Sequence, residues 1–300
     1  MKKILLISAL LLIVGIVVSV VGLAMTGFDI KSIVSEKTVR ESFEFEAADI
    51  DMIAVNTHVS DVKIVESSNP DSTVRVNVTF FEGVGYRAGV ADGRLTVSTD
   101  KRPWYMHIGI ITTRTLIEII VPYGFDASAV SINTNTGDVW LTGVDVKNAK
   151  IEVNTGDVHV TDGAIVDLRI GGDTGDVELK AVTAEIIEIG TDTGDITMRG
   201  CTAGDRLKLG VDTGDIELTS CEARELKINS STGDVELERC DGALIDVETS
   251  TGDVEMTLLS GKLFDVDSST GKKRIPASVG DGDPCRIRTS TGDIEVRIIE

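Results

Sequence analysis

Apolar and polar residues alternate with a period of two along most of the chain, and the alternation itself recurs at a fixed interval. A Thr-Gly dipeptide recurs every 19 to 21 residues, with copies that begin at residues 136, 155, 174, 193, 213, 232, 251, 270 and 291. Apolar residues stand two and four positions after the glycine of most copies, as Val158 and Val160 do after Gly156. They also stand seven and five positions before it, as Leu168 and Ile170 do before Gly175. A period of two predicts β-strands with one buried face, and the fixed interval predicts stacked repeats.

Each repeat is predicted to hold two short strands joined by the Thr-Gly turn and by a second turn. Asp follows the glycine in eight of the nine copies. Glycine supplies the positive φ that tight turns need, and Asp can hydrogen-bond the local backbone. A parallel β-solenoid and a long antiparallel meander both fit this pattern. Strict recurrence favours an all-β parallel β-solenoid, right-handed and β-helix-like, with about 19 residues and two strands per coil, because stacking places equivalent residues in ladders.

The N-terminal segment differs from the rest of the chain. Residues 4–25 form a run of 22 residues without a charge, preceded by Lys2 and Lys3. At about 1.5 Å per residue such a helix spans a hydrocarbon core of roughly 30 Å. The positive-inside rule predicts a single-pass membrane protein with residues 1–3 in the cytoplasm and the C-terminal part outside. A cleaved signal peptide is the alternative, with small residues at Gly22 and Ala24.

The aromatic residues divide the remaining chain. Eleven of the twelve precede residue 141, which predicts a linker at 26–40, an N-terminal β region or cap at 41–125 and an aliphatic solenoid at 126–300. Residues 54–64 are interpreted as a decayed first repeat. The repeat at Thr270 lacks the Asp and places Lys273 where other repeats have an apolar residue. It predicts a bulged coil near the end of the stack, with a loop at 276–284.

Three cysteines occupy one repeat position. Cys201, Cys221 and Cys240 each stand seven residues after a turn glycine, and Cys285 lies apart. The interpretation is a buried ladder in which Cys acts as a small apolar residue. Adjacent coils lie about 4.8 Å apart, so distance does not exclude a disulfide. The chain has no Cys-x-x-Cys pair, so a zinc site is not predicted.

The charge of the chain restricts its partners. The 49 acidic and 29 basic side chains give a net charge of −20. This argues against nucleic-acid binding, which needs clustered Lys and Arg. It favours cationic partners such as metal ions or basic peptides. A solvated acidic surface without a partner explains the same composition.

The combination of features resembles a known family. An N-terminal apolar segment precedes a strand that ends in Val-Pro-Tyr-Gly at 121–124, and serial Thr-Gly-Asp-Val/Ile-x-Leu repeats follow. Over roughly residues 45–300 this is similar to the bacterial "putative adhesin" β-strand-repeat family, a domain family of unknown function found in secreted and membrane-anchored proteins. The resemblance implies a β-solenoid at the cell envelope with a role in adhesion or envelope stress. It supplies no catalytic residues.

No catalytic constellation is evident, and the chain is predicted not to be an enzyme. The three histidines are His58, His107 and His159, and no Gly-x-Ser-x-Gly elbow, phosphate loop or His-Glu-x-x-His helix occurs. His159 is expected to lie on the outer face beside Trp140. Many β-solenoids cleave polysaccharides, but such enzymes usually expose aromatic residues, and the coils contain few.

The one candidate metal site consists of two aspartate rows. Asp flanks Thr-Gly on both sides in three successive repeats only. Stacking would form the rows Asp173, Asp192, Asp212 and Asp176, Asp195, Asp215, beside a bare line at Gly171, Gly190 and Gly210. Carboxylates about 5 Å apart repel one another and favour a bound divalent cation, for which calcium is the candidate. The alternative is turn chemistry, because Asn135 or Ser231 holds the same position in other repeats. No other cofactor is predicted.

The function predicted from the sequence is a non-catalytic, extracytoplasmic binding or scaffold module, adhesin-like, at the cell envelope. The membrane is contacted through the N-terminal helix, and the further partner is an envelope polymer, a protein or a cationic peptide. A sensor or regulator of envelope stress that acts on a membrane partner is the alternative. A polysaccharide-active enzyme is a more distant one.

Overall fold

The computed structural model describes residue 15 and residues 38–69, 72–81, 85–99 and 115–299. The predicted transmembrane segment at 4–25 lies outside the described residues except for Gly15. Within the described part of the chain, no helix has the length and apolar character needed to cross a membrane.

The repeats fold into coils that each contain one long and one short strand. The long strands are β8 (Ala127–Thr136), β10 (Val146–Thr155), β12 (Ala164–Thr174), β14 (Thr183–Thr193), β16 (Thr202–Thr213) and β18 (Glu222–Thr232). The short strands are β9 (Val139–Thr142), β11 (Val158–Thr161), β13 (Val177–Lys180), β15 (Ile196–Arg199) and β17 (Ile216–Thr219). β19 (Val235–Thr251) joins a short strand to the next long one without a break, and β20 (Val254–Leu258) completes that coil.

Successive coils stack in parallel and nearly in register. Ile151 of β10, for example, pairs with Ile132 on one side and Ile170 on the other. The long strands build one sheet and the short strands a second, here named the long-strand sheet and the short-strand sheet. One interval between turns has 20 residues, and the extra residue produces a register shift at Gly204 and Asp205. The prediction of an all-β parallel solenoid with coils of about 19 residues is confirmed.

The core is a set of aliphatic ladders between the two sheets. The central inward position of the long strands is buried in every coil from β8 to β19 and in β23 (Asp283–Thr291), at Ile132, Ile151, Ile170, Ile189, Leu209, Ile228, Val247 and Ile287. Each coil removes the same apolar groups from water, so the hydrophobic stabilisation is distributed evenly along the stack.

The N-terminal region continues the stack. β2 (Met52–Val59) and β3 (Asp61–Glu66) form a coil that pairs with β8 and β9, so the interpretation of 54–64 as a first repeat is confirmed. β6 (Arg94–Thr99) and β7 (Leu116–Val121) pair in parallel on its other side. Antiparallel strands finish this end, namely β1 (Thr38–Glu46), β4 (Thr73–Phe81) and β5 (Tyr86–Ala91), with a 3-10 turn at Ala47–Asp49.

The last two coils are stacked in the reverse of their sequence order. β23 and β24 (Ile294–Ile298) pair directly with β19 and β20. β21 (Lys262–Thr270) and β22 (Lys273–Arg274) pair with β23 and β24 from outside. The irregular repeat at Thr270 is therefore the outermost coil. The connecting loop occupies 275–282, slightly earlier than the predicted 276–284.

The turn glycines permit the close stacking of coils. Gly194 has φ of 135°, and a Cβ placed there would lie 2.1 Å from the carbonyl oxygen of Gly175 in the neighbouring coil. The same approach, about 2 Å, recurs at the other Thr-Gly turns. No side chain fits this position, so glycine is required by the contact between coils as well as by its φ.

Replacement of Gly194 by Ala is expected to destabilise the fold by about 3 kcal/mol or more, because it adds both backbone strain and a clash with a carbonyl. Gly190→Ala is the matched control, since a Cβ at Gly190 has nothing within 4 Å. Chemical denaturation followed by circular dichroism measures both variants. Equal stability of the two would contradict the role given to the turn glycine.

Candidate functional site

The aspartates that follow the turn glycines form a continuous hydrogen-bonded ladder. The backbone N–H of Asp157 donates to Oδ1 of Asp138 at 3.1 Å, and the N–H of Asp195 donates to Oδ1 of Asp176 at 2.9 Å. The accepting carboxylates, in spatial order, are Asp61, Asp138, Asp157, Asp176, Asp195, Asp215, Asp234, Asp253 and Asp293. We name this row the turn ladder. Each carboxylate accepts the N–H of the next coil, so the row stabilises the stack.

The turn ladder explains why one repeat lacks its Asp. The N–H of Lys272 donates to Oδ1 of Asp293 at 2.7 Å. Lys272 belongs to the outermost coil, and among the described residues no further coil presents an N–H that needs an acceptor. The sequence alone predicted only a local irregularity at this repeat. Lys272 precedes Asp293 in the chain, but its coil lies outside the coil of Asp293 in the stack.

The second predicted aspartate row has a different environment. Asp173, Asp192 and Asp212 occupy equivalent, exposed positions one residue before the turn threonines. Their carboxylates have no hydrogen-bond or ion-pair partner among the described residues. Asp176, Asp195 and Asp215 lie on the other side of the same turns, but their Oδ1 atoms accept backbone N–H groups.

The structure places the two aspartate rows on either side of the same turns. In the described ranges, no three His, Cys, Asp or Glu side chains converge as a group that could hold a metal ion. The calcium site at these six residues stays a prediction.

The predicted bare line of glycines forms the floor of a shallow groove on the outer face of the long-strand sheet. A Cβ at Gly171, Gly190 or Gly210 would have nothing within 4 Å. The hollow measures about 380 Å³ and has Lys150, Arg169, Glu188 and Lys208 along one side. A second hollow of about 380 Å³ continues from Gly190 and Gly210 past Asp192 and Asp212 to Ser231 and Ser250. We name the two together the glycine groove.

Ion pairs neutralise most of the basic side of the glycine groove. Lys150 lies 2.7 Å from Glu152 and hydrogen-bonds it, which holds the pKa of that carboxyl below its usual range. Arg169 binds Asp167 at 2.9 Å, and this contact raises the pKa of the guanidinium. Lys208 has no partner among the described residues. The groove therefore presents charges of both signs to solvent.

The outer face of the short-strand sheet carries the predicted aromatic pair. The rings of Trp140 and His159 stack with centroids 5.7 Å apart and planes 10° apart. Nδ1 of His159 lies 3.3 Å from Glu178, which in turn binds Arg199 at 3.2 Å. The pair is one link in a row of interacting side chains on this face.

A buried lysine near the C-terminal end was not predicted from the sequence. Lys262 is 1% exposed, and its Nζ lies 2.5 Å from Oδ1 of Asp241 and 2.7 Å from the carbonyl oxygen of Gly242. Burial raises the pKa of Asp241, but hydrogen bonds from Lys262, Ser260 and the Gly242 N–H outweigh this effect and lower it. The flanking sequence, Ser-Gly-Lys-Leu, gives no signal of burial.

The four cysteines are free and buried. Burial raises the pKa of the Cys285 thiol to about 12. The pKa of Cys201 is also raised, by its hydrogen bond with Cys221 and by burial. The thiols of Cys201 and Cys285 are therefore poor nucleophiles, because the thiolate is the reactive form. The hydrogen bond with Cys221 lowers the pKa of Cys240, so the protection of that thiol rests on its burial.

The geometry defines the class of the protein as a parallel β-solenoid with a carboxylate ladder at its turns and charged outer faces. Its family model matches residues 50–209 and 203–300, so the chain belongs to the Toastrack DUF4097 family. This confirms the resemblance to an adhesin-like domain family of unknown function. Comparison with curated proteins gives no match.

Structural comparison matches the chain to solved structures from several bacteria. A "putative lipid binding protein" from Parabacteroides distasonis is 16% identical, with a TM-score of 0.48, 87% of this chain covered and 97% of that chain. A "putative adhesin" from Bacteroides fragilis is 14% identical, with a TM-score of 0.40, 88% and 98% covered. A "putative cell adhesion protein" from Clostridium sporogenes is 10% identical, with a TM-score of 0.26, 88% and 100% covered. All three TM-scores are below 0.5, so the similarity carries no statement on function.

Asp195→Ala is expected to destabilise the protein by about 1 kcal/mol, because the N–H of Asp215 loses its acceptor. Asp195→Asn keeps an oxygen at the same position and should lie close to the wild type. Asp192→Ala is the matched control, since that carboxylate has no partner among the described residues. Urea denaturation gives the three free energies of unfolding. A larger loss for Asp192→Ala than for Asp195→Ala would contradict the assignment of the turn ladder.

The native protein is expected to leave its four thiols unmodified by a maleimide at pH 7.5, whereas the urea-unfolded protein should react at all four. Mass spectrometry of intact protein counts the adducts. Rapid modification of Cys201, Cys221 or Cys240 in the folded state would show that the cysteine ladder is accessible, against the burial described above.

Proposed function

We propose that the chain is a non-catalytic binding or scaffold module on the extracytoplasmic side of the cell envelope. The inward positions fill an aliphatic core, and the turn ladder is occupied by backbone N–H groups. The outer faces of the two sheets are available to a partner. The apolar segment at 4–25 supports the membrane location, with the solenoid held outside the cell.

The observation that carries the proposal is the glycine groove. Gly171, Gly190 and Gly210 have no steric reason to be glycine, since a Cβ at each would meet open space. Asn133 or Glu248 occupies the equivalent position in other coils. Glycine within a strand weakens it and often marks a place where a ligand approaches the backbone closely.

A polymer with repeating units is the partner that suits this groove. The groove runs across successive coils, so its side chains repeat about every 4.8 Å. Lys208 and the carboxylates of Asp192 and Asp212 offer donors and acceptors along it. A glycan strand of the cell envelope carries hydroxyl, amide and carboxylate groups at regular intervals and can use several such positions together.

The state of the carboxylates favours binding over glycan cleavage. A glycosidase needs a general acid whose pKa is raised. Among the described carboxylates with a shifted pKa, namely Glu152, Asp241 and Asp265, each is shifted downward by a basic partner. Such groups remain ionised at neutral pH and cannot donate a proton to a leaving group.

A regulator that acts on a membrane partner is the second candidate function. Its support is the uncharged run at 4–25 behind Lys2 and Lys3, which would place a helix within reach of other membrane proteins. Deletion of residues 1–30 should abolish such regulation and leave polymer binding by the solenoid intact.

The polymer-binding proposal predicts that the full chain co-sediments with purified, insoluble peptidoglycan and releases no soluble sugar from it. The double variant Gly190→Gln/Gly210→Gln fills the groove and should lower the bound fraction at least fivefold without loss of stability. Thr219→Gln, on the outer face of the short-strand sheet, is the matched control. Unchanged binding by the double variant would contradict the groove as the binding surface, and release of sugar fragments would contradict the non-catalytic role.

A further inference from the structure

The C-terminal end of the solenoid has an open sheet edge. β21 pairs with β23 on one side, and no described strand pairs with its other side. The loop at 275–282 covers only the beginning of this edge, where the N–H of Val279 donates to the carbonyl of Lys262 and Ser278 Oγ accepts the N–H of Phe264. The backbone carbonyl of Lys262 and the backbone N–H of Phe264 therefore point toward the open edge, away from β23. By alternation along the strand, the backbone groups of Val266 and Ser268 also point toward the open edge.

The side chains beside the open edge are incompletely covered. Phe264 and Val266 face inward and pack against the core, but they remain partly exposed because no further coil lies over them. Leu263, Ile275 and Val279, at the same end, are 49%, 42% and 43% exposed. An added strand with apolar residues facing inward would remove this surface from water.

Charges on the outer face of the last three coils alternate in sign. Asp246, Arg286 and Asp265 form one row, with Arg286 3.9 Å from Asp246. Glu248, Arg288 and Asp267 form the next row, and Arg288 binds Asp265 at 2.6 Å. Both rows end in an Asp, and the two terminal carboxylates are 69% and 66% exposed, although Lys273 of the same coil lies 3.4 Å from Asp267. A strand that continued the alternation would place basic side chains beside them.

Two observations disfavour a second copy of the chain at this edge. Antiparallel pairing of β21 with itself would oppose Asp265 and Asp267 of the two copies, and like charges in that position are destabilising. A further coil of the same kind would need a carboxylate acceptor at its turn, and the outermost coil has Lys272 there. The edge is suited to a single extended segment of another protein.

We propose that the open edge of β21 binds an extended peptide segment in which apolar and basic residues alternate. The segment adds one strand to the long-strand sheet. Its backbone pairs with Val266 and the carbonyl of Phe264, its apolar residues cover Phe264 and Val266, and its Lys or Arg residues lie beside Asp265 and Asp267. This site is separate from the glycine groove and takes a different partner, so either can fail without the other.

The test uses the full chain in detergent micelles and three labelled synthetic peptides at about 0.15 M salt, which screens long-range attraction to the acidic protein. The first peptide is Thr-Val-Lys-Val-Lys-Val-Thr. The second has the same composition with its Lys and Val residues grouped, and the third replaces Lys by Glu. Fluorescence anisotropy is expected to show at least tenfold tighter binding of the first peptide than of the other two. Hydrogen exchange should show protection of the Val266 amide by the first peptide alone.

Two variants and one modified peptide locate the binding. Asp265→Asn/Asp267→Asn should weaken the first peptide at least fivefold and leave the fold intact. Val266→Pro removes the outward N–H at an edge position that tolerates proline, and should abolish binding. A first peptide with N-methyl groups on its pairing amides should also fail to bind, independently of any effect of proline on folding. The proposal would be overturned if the first peptide did not bind or if the grouped peptide bound with equal affinity. It would also be overturned if binding survived both Val266→Pro and N-methylation.

Discussion

The fold depends on one contact repeated at every turn: the backbone N–H of one coil donates to an Asp carboxylate of the coil before it. The contact needs two residue types together. Glycine lets the chains approach until its Cα hydrogens meet the carbonyl of the neighbouring turn, and Asp accepts the N–H that this approach directs toward it. Because both residues recur every 19 residues or so, the same contact fixes the spacing and the register of the whole stack.

The coil itself could be predicted from the sequence because its determinants are local and repeated. Alternation defined the inward ladders, such as Ile132 and Ile151, and the Thr-Gly-Asp period defined the turn. The order of the coils could not be predicted in this way. A coil can pair with any other coil of the same pattern. The period of the repeats therefore does not predict that residues 283–298 stack between the preceding coils and residues 262–274. The missing Asp at Lys272 becomes the signal for the outermost coil once the direction of the turn ladder is known.

The same reasoning applies to the candidate site. Asp192 and Asp195 flank the same Thr-Gly pair and look equivalent in the sequence. In the structure, Asp192 is exposed and has no described partner, whereas Asp195 accepts a backbone N–H from the next coil. The glycine line was predictable because Gly171, Gly190 and Gly210 share a repeat position, and its exposure follows from the alternation. The burial of Lys262 could not be predicted from the sequence, because it depends on the carboxylate of Asp241 and the carbonyl of Gly242 in another coil.

Amide hydrogen exchange of the Asp253→Ala variant tests the directed ladder most directly. In the structure, Asp253 accepts the N–H of Asp293, which lies 40 residues away, and Asp293 accepts that of Lys272. The account predicts faster exchange at the Asp293 amide, with protection at Lys272 retained. Faster exchange at Lys272 instead, the partner that a simple 19-residue period would assign, would contradict both the direction of the ladder and the order of the last coils.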